Sequence, residues 1–230
     1  MDVVSEVVDE VMSDGLRLFE EKVLNEFYND LKIMLDKDMV EFMKATNDED
    51  ELQIILRGQL YIEHEIEKLL RLRMVEPEVY FSKNPMFNSK LNLVVALGLL
   101  PKNKMNAYNK LNTLRNKFAH ELKYKVTKEK MDELVSTMDT ELKADIFEQE
   151  WNTEREMSDE QRKLLKLKRF MLSLWIYLSR LLFDLSVGDF EDSVVTMDLD
   201  NQLTLEEYHV ECLRLFEEWR DKMGVPRNLS

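Results

Sequence analysis

The chain has 230 residues, with 32 Lys/Arg against 46 Asp/Glu, a formal net charge of −14. Five Gly, four Pro and 34% charged residues, with abundant Leu, Met, Glu and Lys, are the composition of a mostly helical protein with wet helix exteriors and one sizeable core. A single cysteine, Cys212, excludes an internal disulfide and a multi-cysteine zinc site.

The start, Met1-Asp2-Val3-Val4-Ser5-Glu6, lacks the basic region that opens a signal peptide. Residues 3–12 alternate valine with acids and predict a short helix that ends before Gly15. From Leu16 to about Ala45, Leu16, Phe19, Val23, Phe27, Leu31, Met34 and Leu35 recur at spacings of three and four, which predicts an amphipathic helix. The acidic cluster 47–51 fits the start of the next helix, where carboxylates face the positive end of the macrodipole. That helix is expected to reach Met74, with Leu52, Ile55, Ile62, Ile66, Leu69 and Leu70 on its core face; Gly58 within it marks close packing or a bend.

Pro77 and Pro85 bracket an expected non-helical surface loop. Asn88 or Ser89 is expected to cap a short apolar helix, Leu91 to Leu97, that stops at Gly98. Pro101 precedes a further helix, and Thr127 caps one through Met131, Leu134, Val135 and Met138. After a polar segment around Trp151, Ser158 with Gln161 forms a capping box. It opens the helix that carries the most apolar run, Phe170 to Leu185. That run is shorter than the roughly 20 residues a bilayer demands and is interrupted by Arg180 and Asp184, so a buried core helix is expected. No membrane association and a reducing, cytoplasmic location are expected. After Gly188 an acidic, extended connection is expected. Thr204 with Glu207 then caps a last helix that buries Leu205, Tyr208, Cys212, Leu215, Phe216, Trp219 and Met223. The expected fold is all-α, with a helical appendage over 1–47, an antiparallel bundle over 48–187, and an acidic connection with an amphipathic helix over 188–230.

Metal chemistry finds little support. His64-Glu65 and His120-Glu121 lack the second histidine of a zinc-protease helix, and Glu206 with His209 has no second such pair to complete a di-iron site. Asp198, Asp200 and Gln202 imitate a calcium loop, but Leu203 and His209 stand where it needs glycine and glutamate. No metal and no cofactor are expected. His64 reads as a surface residue among Glu63, Glu65 and Glu67, and Cys212 as inert core.

The informative stretch is 101–130, where nine Lys/Arg face two acids, a local charge of +7. A basic island of this kind suits an anion such as a phosphate backbone. On a helical wheel Leu114, Phe118 and Leu122 fall within about 60° of Leu111 and form the core stripe. Asn112, Asn116 and His120 follow at i+4 and share a polar stripe. Arg115 lies about 40° from the core centre, where a guanidinium needs a carboxylate or a bound anion. Arg115 and His120 are about 140° apart on an ideal helix. They converge only if the helix distorts near Ala119 or if two copies of the chain share one groove.

Arg115-Asn116-Lys117-Phe118-Ala119-His120 resembles the R-x4-6-H motif of the HEPN superfamily, with a polar residue directly after the arginine. The segment from Ser89 to Leu122, with a short apolar helix that ends in glycine ahead of the motif, resembles the mannitol repressor-like branch. The resemblance is strongest over 88–124 and extends over about 50 to 185. It implies an antiparallel helical bundle that dimerises through the motif helices. It further implies a metal-independent endoribonuclease of the kind found in toxin–antitoxin and phage-defence systems. On that resemblance His120 is general acid or base, Arg115 stabilises the phosphorane-like transition state, and Asn116 orients imidazole or phosphate. Lys110, Asn112, Lys117 and Lys123 would bind the RNA, and a cognate antitoxin or regulatory protein is an implied partner. The same resemblance admits a non-catalytic, mannitol repressor-like regulator or interaction module. An unrelated helical bundle, with Arg115 and His120 as ordinary surface residues, is the remaining alternative.

Overall fold

The computed structural model describes residues 2–47, 50–121, 123–143, 157–200 and 204–223, and these residues are all-α, with no strand among them. In chain order the helices are α1 (Asp2–Thr46), α2 (Glu51–Arg73), α3 (Pro77–Phe81), α4 (Phe87–Ala96), α5 (Met105–His120), α6 (Lys128–Ser136), α7 (Thr140–Lys143), α8 (Asp159–Asp200) and α9 (Leu205–Met223). A single 3-10 turn, Lys102–Lys104, precedes α5. The chain divides into two compact units, residues 37–182 and residues 1–36 with 183–230, and both α1 and α8 contribute residues to each.

Helix starts follow side-chain chemistry. Asp50 accepts a hydrogen bond from the Leu52 amide at 2.8 Å, and Thr127 accepts one from Lys130 at 3.3 Å. Both capping boxes form. Ser158 donates its amide to Gln161 at 2.8 Å and accepts the Gln161 amide at 3.3 Å. Thr204 likewise donates its amide to Glu207 at 2.9 Å and accepts the Glu207 amide at 3.4 Å. Gly98, at φ +72°, turns the chain after α4 in a conformation that L side chains rarely adopt.

Four expectations are corrected. α1 passes through Gly15 without a stop, because one glycine costs a helix only ~1 kcal/mol and the flanking turns offset that. Pro77 starts α3 instead of bounding a loop, since proline at the first helical position gives up an amide that has no partner there. α4 begins at Phe87 after Met86, with no side-chain cap; the Asn88 side chain is turned to α5 instead. The stretch after Gly188 is helical to Asp200, because Ser186, Val187 and Phe190 on either side of the glycine are buried and hold the helix together. The polar segment around Trp151 and the side chains of His209, Leu205 and Met223 lie outside the described residues.

The unit formed by 1–36 and 183–230 is built around Phe27, which is fully buried. Its ring stacks on Phe190 at 4.2 Å and meets the edges of Trp219 at 4.7 Å and Phe216 at 5.6 Å. Tyr208 and Cys212 of α9 are buried in the same unit.

In the unit 37–182, α2 is the axis. Ile55, Ile62, Ile66, Leu69 and Leu70 are buried as the periodicity predicts, whereas Leu52 is only half-buried. α4, α5 and α2 pack against one another. From α1, Phe42 stacks on Trp175 of α8 at 5.1 Å and meets the edge of Tyr61 of α2 at 5.6 Å. Among the described residues, one stretch within 159–190 is long and apolar enough to cross a membrane, and 56% of that window is buried inside the protein. Arg180 and Asp184 are exposed on it, while Phe170, Leu174 and Leu178 are buried.

The unit also buries charge. Lys68 of α2 lies between Glu65 at 3.0 Å and Asp38 of α1 at 2.9 Å. Burial works against its ammonium, but the two carboxylates outweigh it and hold its pKa above the ordinary value. Gly58 marks close packing, as α2 meets α8 there: a Cβ at this position would run into the Met171 methyl. Gly58→Val is therefore expected to destabilise the protein by ~1–3 kcal/mol in denaturant unfolding. Because Met171 is itself buried, the losses of Gly58→Val and Met171→Ala are expected to be less than additive in the double variant, and full additivity would show that this contact is not the cause.

Candidate functional site

α5 is pinned at its start and exposed at its end. Lys104, just ahead of it, is 2% exposed, with its ammonium held by Asp139 at 2.6 Å and by Glu141 and placed 4.9 Å from the Tyr177 ring centre. One turn on, Tyr108 is fully buried and donates its hydroxyl to the Leu174 carbonyl of α8 at 2.9 Å. Leu111 and Leu114 then enter the core as the wheel predicts, while Phe118 is only half-buried and Leu122 lies outside the described residues.

The polar stripe divides. Asn112 accepts a hydrogen bond from Gln59 of α2 at 3.2 Å and donates to Asn88 of α4 at 2.9 Å, so its amide joins three helices. Asn116 and His120, one and two turns on, are exposed. Arg115 is exposed as well, and its guanidinium donates to the Asn116 side-chain carbonyl at 3.2 Å. Among the described residues it meets no carboxylate, the first of the two partners expected for it: the flank of α5 that carries it is open to solvent, so burial does not force a partner on it. α5 continues as regular α-helix through His120, and its C-cap is Glu121. The helix therefore shows no distortion near Ala119, and the two side chains keep the ~140° separation of an ideal helix.

The basic island is narrower than its sequence. Lys104 is engaged by Asp139 and Glu141, and Lys110 and Lys130 share Glu133, Lys110 at 2.6 Å. Among the described residues, Lys102, Arg115, Lys117, Lys123, Lys125 and Lys128 make no close ion pair, although Lys125 and Lys128 lie in the fields of Glu160 and Glu129. All but Lys102 lie in the fourteen positions from 115 to 128, at the end of α5 and the connection to α6. Within this strip the half-buried rings of Phe118 and Tyr124 meet edge to face at 5.0 Å, and the Lys117 ammonium lies 5.5 Å from the Tyr124 centre. Tyr124 was not singled out from sequence, although its place between Lys123 and Lys125 carried the signal of an aromatic interleaved with cations.

Charge separates along the chain. Residues 37–182 hold 25 Lys/Arg and 24 Asp/Glu, a net +1, whereas residues 1–36 with 183–230 hold 7 against 22, a net −15. The overall −14 thus belongs to the unit that does not contain the motif. His64 is exposed, as expected beside its carboxylates, but Glu65 is buried, which pushes its carboxyl upward. Cys212 is fully buried. Among the described residues no three His, Cys, Asp or Glu side chains come together in a metal-ligating group.

Hydrogen bonds from Lys110 and Lys130 hold the Glu133 carboxyl down to about 2. A depressed carboxylate pKa stabilises the fold above the unfolded value, about 4.3, and that contribution disappears as pH falls toward the folded value. Glu133→Gln is expected to flatten the stability profile between those two points, read as the unfolding midpoint against pH. An unchanged acid limb would mean that the two lysines do not hold Glu133 in solution. Comparisons with models of known protein families, with curated proteins and with solved structures found no match to this chain.

Proposed function

We propose that the protein is a metal-independent endoribonuclease of the HEPN type, acting on single-stranded RNA at the end of α5. One observation carries the reading: Arg115 and His120 are both exposed inside the strip where cations lack acidic partners. Unpaired cations with interleaved aromatic rings are what a sequence-tolerant single-strand surface needs, since ammoniums track the backbone and rings stack on bases. The segregation of negative charge into the other unit supports it by removing the electrostatic objection that a net −14 would raise.

In this reaction a ribose 2′-OH attacks the adjacent phosphorus, and the bond from phosphorus to the 5′ oxygen breaks. The products are a 2′,3′-cyclic phosphate and a 5′-OH. His120 takes the proton of the attacking hydroxyl or gives one to the leaving oxygen. Arg115 lies against the charge that develops on the phosphorane oxygens, and the Asn116 amide orients its guanidinium. Because α5 is straight, the Arg115 of one copy must meet the His120 of a second, and a homodimer across the motif helices supplies that arrangement.

That same straightness favours a second reading, a non-catalytic regulator or interaction module. In one chain the two motif side chains do not converge, and nothing but a second copy would bring them together. A cognate antitoxin or regulatory protein would belong to either reading.

Activity separates the two. Incubated with total RNA in EDTA, wild-type protein is expected to leave cyclic phosphate ends, and His120→Ala to leave none. Mixed Arg115→Ala and His120→Ala proteins are expected to regain about a quarter of the activity, as half of the exchanged dimers hold one intact site. Absence of cleavage by the wild type would favour the regulator. Binding is expected to respond to Glu133→Gln as well: freeing Lys110 and Lys130 should steepen the dependence of log affinity on log salt by about 1. An unchanged slope would remove Lys110 from the RNA surface.

A further inference from the structure

α6 and the first turns of α8 enclose a cleft of about 470 Å³, within the range of small-molecule sites. Its floor is apolar: Met131 is 1% exposed, as is Val126 beside it. Its rim mixes the two signs, with Lys128, Arg162 and Lys166 against Asp132 and Asp159. The rim cations are available to different degrees. Lys128 makes no ion pair within 4 Å among the described residues, though it lies in the field of the neighbouring Glu129, and Lys166 is only loosely associated with Asp132, at 3.7 Å. Arg162 directs two of its donors at the Met157 carbonyl, at 3.0 and 2.7 Å, which leaves its remaining amino group. By contrast Lys163 in the wall is already held by Glu51 at 2.9 Å and Glu160 at 2.7 Å.

This composition is selective. A bare phosphate would meet the carboxylates of Asp132, Asp159 and Glu160 together with the cations, and an apolar ligand would leave charged groups without partners. A nucleotide satisfies all three parts of the cleft. Its phosphate suits Lys128 and Lys166, its base lies against the aliphatic stems of the rim side chains, and an exocyclic amine donates to carboxylates that can only accept. Adenine and cytosine carry such an amine; uracil presents carbonyl oxygens there instead. Val126 follows His120 by six residues, so the rim lies within ~20 Å of the motif along the chain. Lys123 and Lys125 occupy that interval, and Lys125 lies in the field of Glu160 of the cleft wall.

We propose that the α6–α8 cleft holds one nucleotide of the bound single-stranded RNA, away from the scissile phosphate, and prefers an amino-bearing base. The proposal rests on the ribonuclease reading only in taking RNA as the ligand; it requires binding, not cleavage.

Anisotropy of labelled oligo-A, oligo-C and oligo-U with full-length His120→Ala protein tests it. Oligo-A and oligo-C are expected to bind about tenfold tighter than oligo-U. Asp132→Asn with Asp159→Asn should bring the three within about twofold, without weakening oligo-U. Lys128→Glu with Lys166→Glu should weaken all three about tenfold or more, and both pairs lie on exposed positions where folding tolerates change. Equal affinity for the three polymers overturns the proposal. So does binding that ignores the Lys128/Lys166 pair yet falls on Lys123→Glu with Lys125→Glu, although the RNA surface at the end of α5 would then stand. Failure of every protein to bind RNA at low salt overturns the RNA reading and the cleft proposal together.

Discussion

Gln59, Glu63 and Glu67 follow one another at i+4 on α2, and this single stripe fixes the helices that carry the site. Lys90 of α4, 7% exposed, brings its ammonium to Glu63 at 2.6 Å and to Glu67. Gln59 passes a hydrogen bond through Asn112 of α5 to Asn88 of α4. The charged bond and the amide chain together fix both the separation of α4 from α2 and the rotation of α5 about its own axis. A rotation of α5 by one position, about 100°, would break the amide chain and drive Arg115 toward the core. With Asn112 held, Leu111 and Leu114 turn inward and Arg115, Asn116 and His120 remain in water. The exposure of the motif is thus a consequence of a polar contact one turn before it.

Three buried ammoniums repeat one solution. Lys68, Lys90 and Lys104 each sit between two carboxylates, and for each the acids outweigh desolvation and hold the pKa up. Each such cluster ties together elements distant in sequence: Asp38 to Lys68, Glu63 and Glu67 to Lys90, Asp139 and Glu141 to Lys104. Pairs of this type define a register more than they add stability, since their mutual attraction is largely offset by the loss of hydration. They also decide which basic residues remain for a ligand. Once Lys104, Lys110 and Lys130 are engaged, the cationic surface contracts to the end of α5.

Much of the fold was legible where local chemistry decides it. Asp50, Thr127, Ser158 and Thr204 each cap the helix their sequence announces, and the buried positions of α2 follow its period. Gly15, Pro77 and Gly188 are local signals for a stop that did not act as one: a single glycine costs a long helix little, proline fits the first helical position, and buried neighbours hold the helix through Gly188. At the site, the wheel placed Leu111, Leu114, Asn116 and His120 on their correct faces. It could not place Arg115, because a residue at the edge of the stripe is buried or bare according to whether another element covers that flank. Nor could it separate Lys123 from Lys110, whose difference lies in Glu133, more than twenty residues away in the chain. Nothing local marks Arg162 and Lys166, because only the fold of α8 brings them beside Lys128.

The geometry of α5 and the balance of charge bear on one another. A straight helix with its two motif side chains about 140° apart needs a second copy to bring an arginine and a histidine to one phosphate. Two copies meeting across this face would place like charges together, five cations outside close ion pairs from each chain, and Coulomb repulsion would oppose such a dimer without a counter-charge. A polyanion between the copies supplies that counter-charge, so binding of RNA and pairing of the motif helices would reinforce each other through linkage. The unit containing the motif is near neutral as a whole, which limits the repulsion to the face itself. If the protein is the ribonuclease proposed, the cationic face that would draw in the RNA would also make the assembled site depend on the RNA being there.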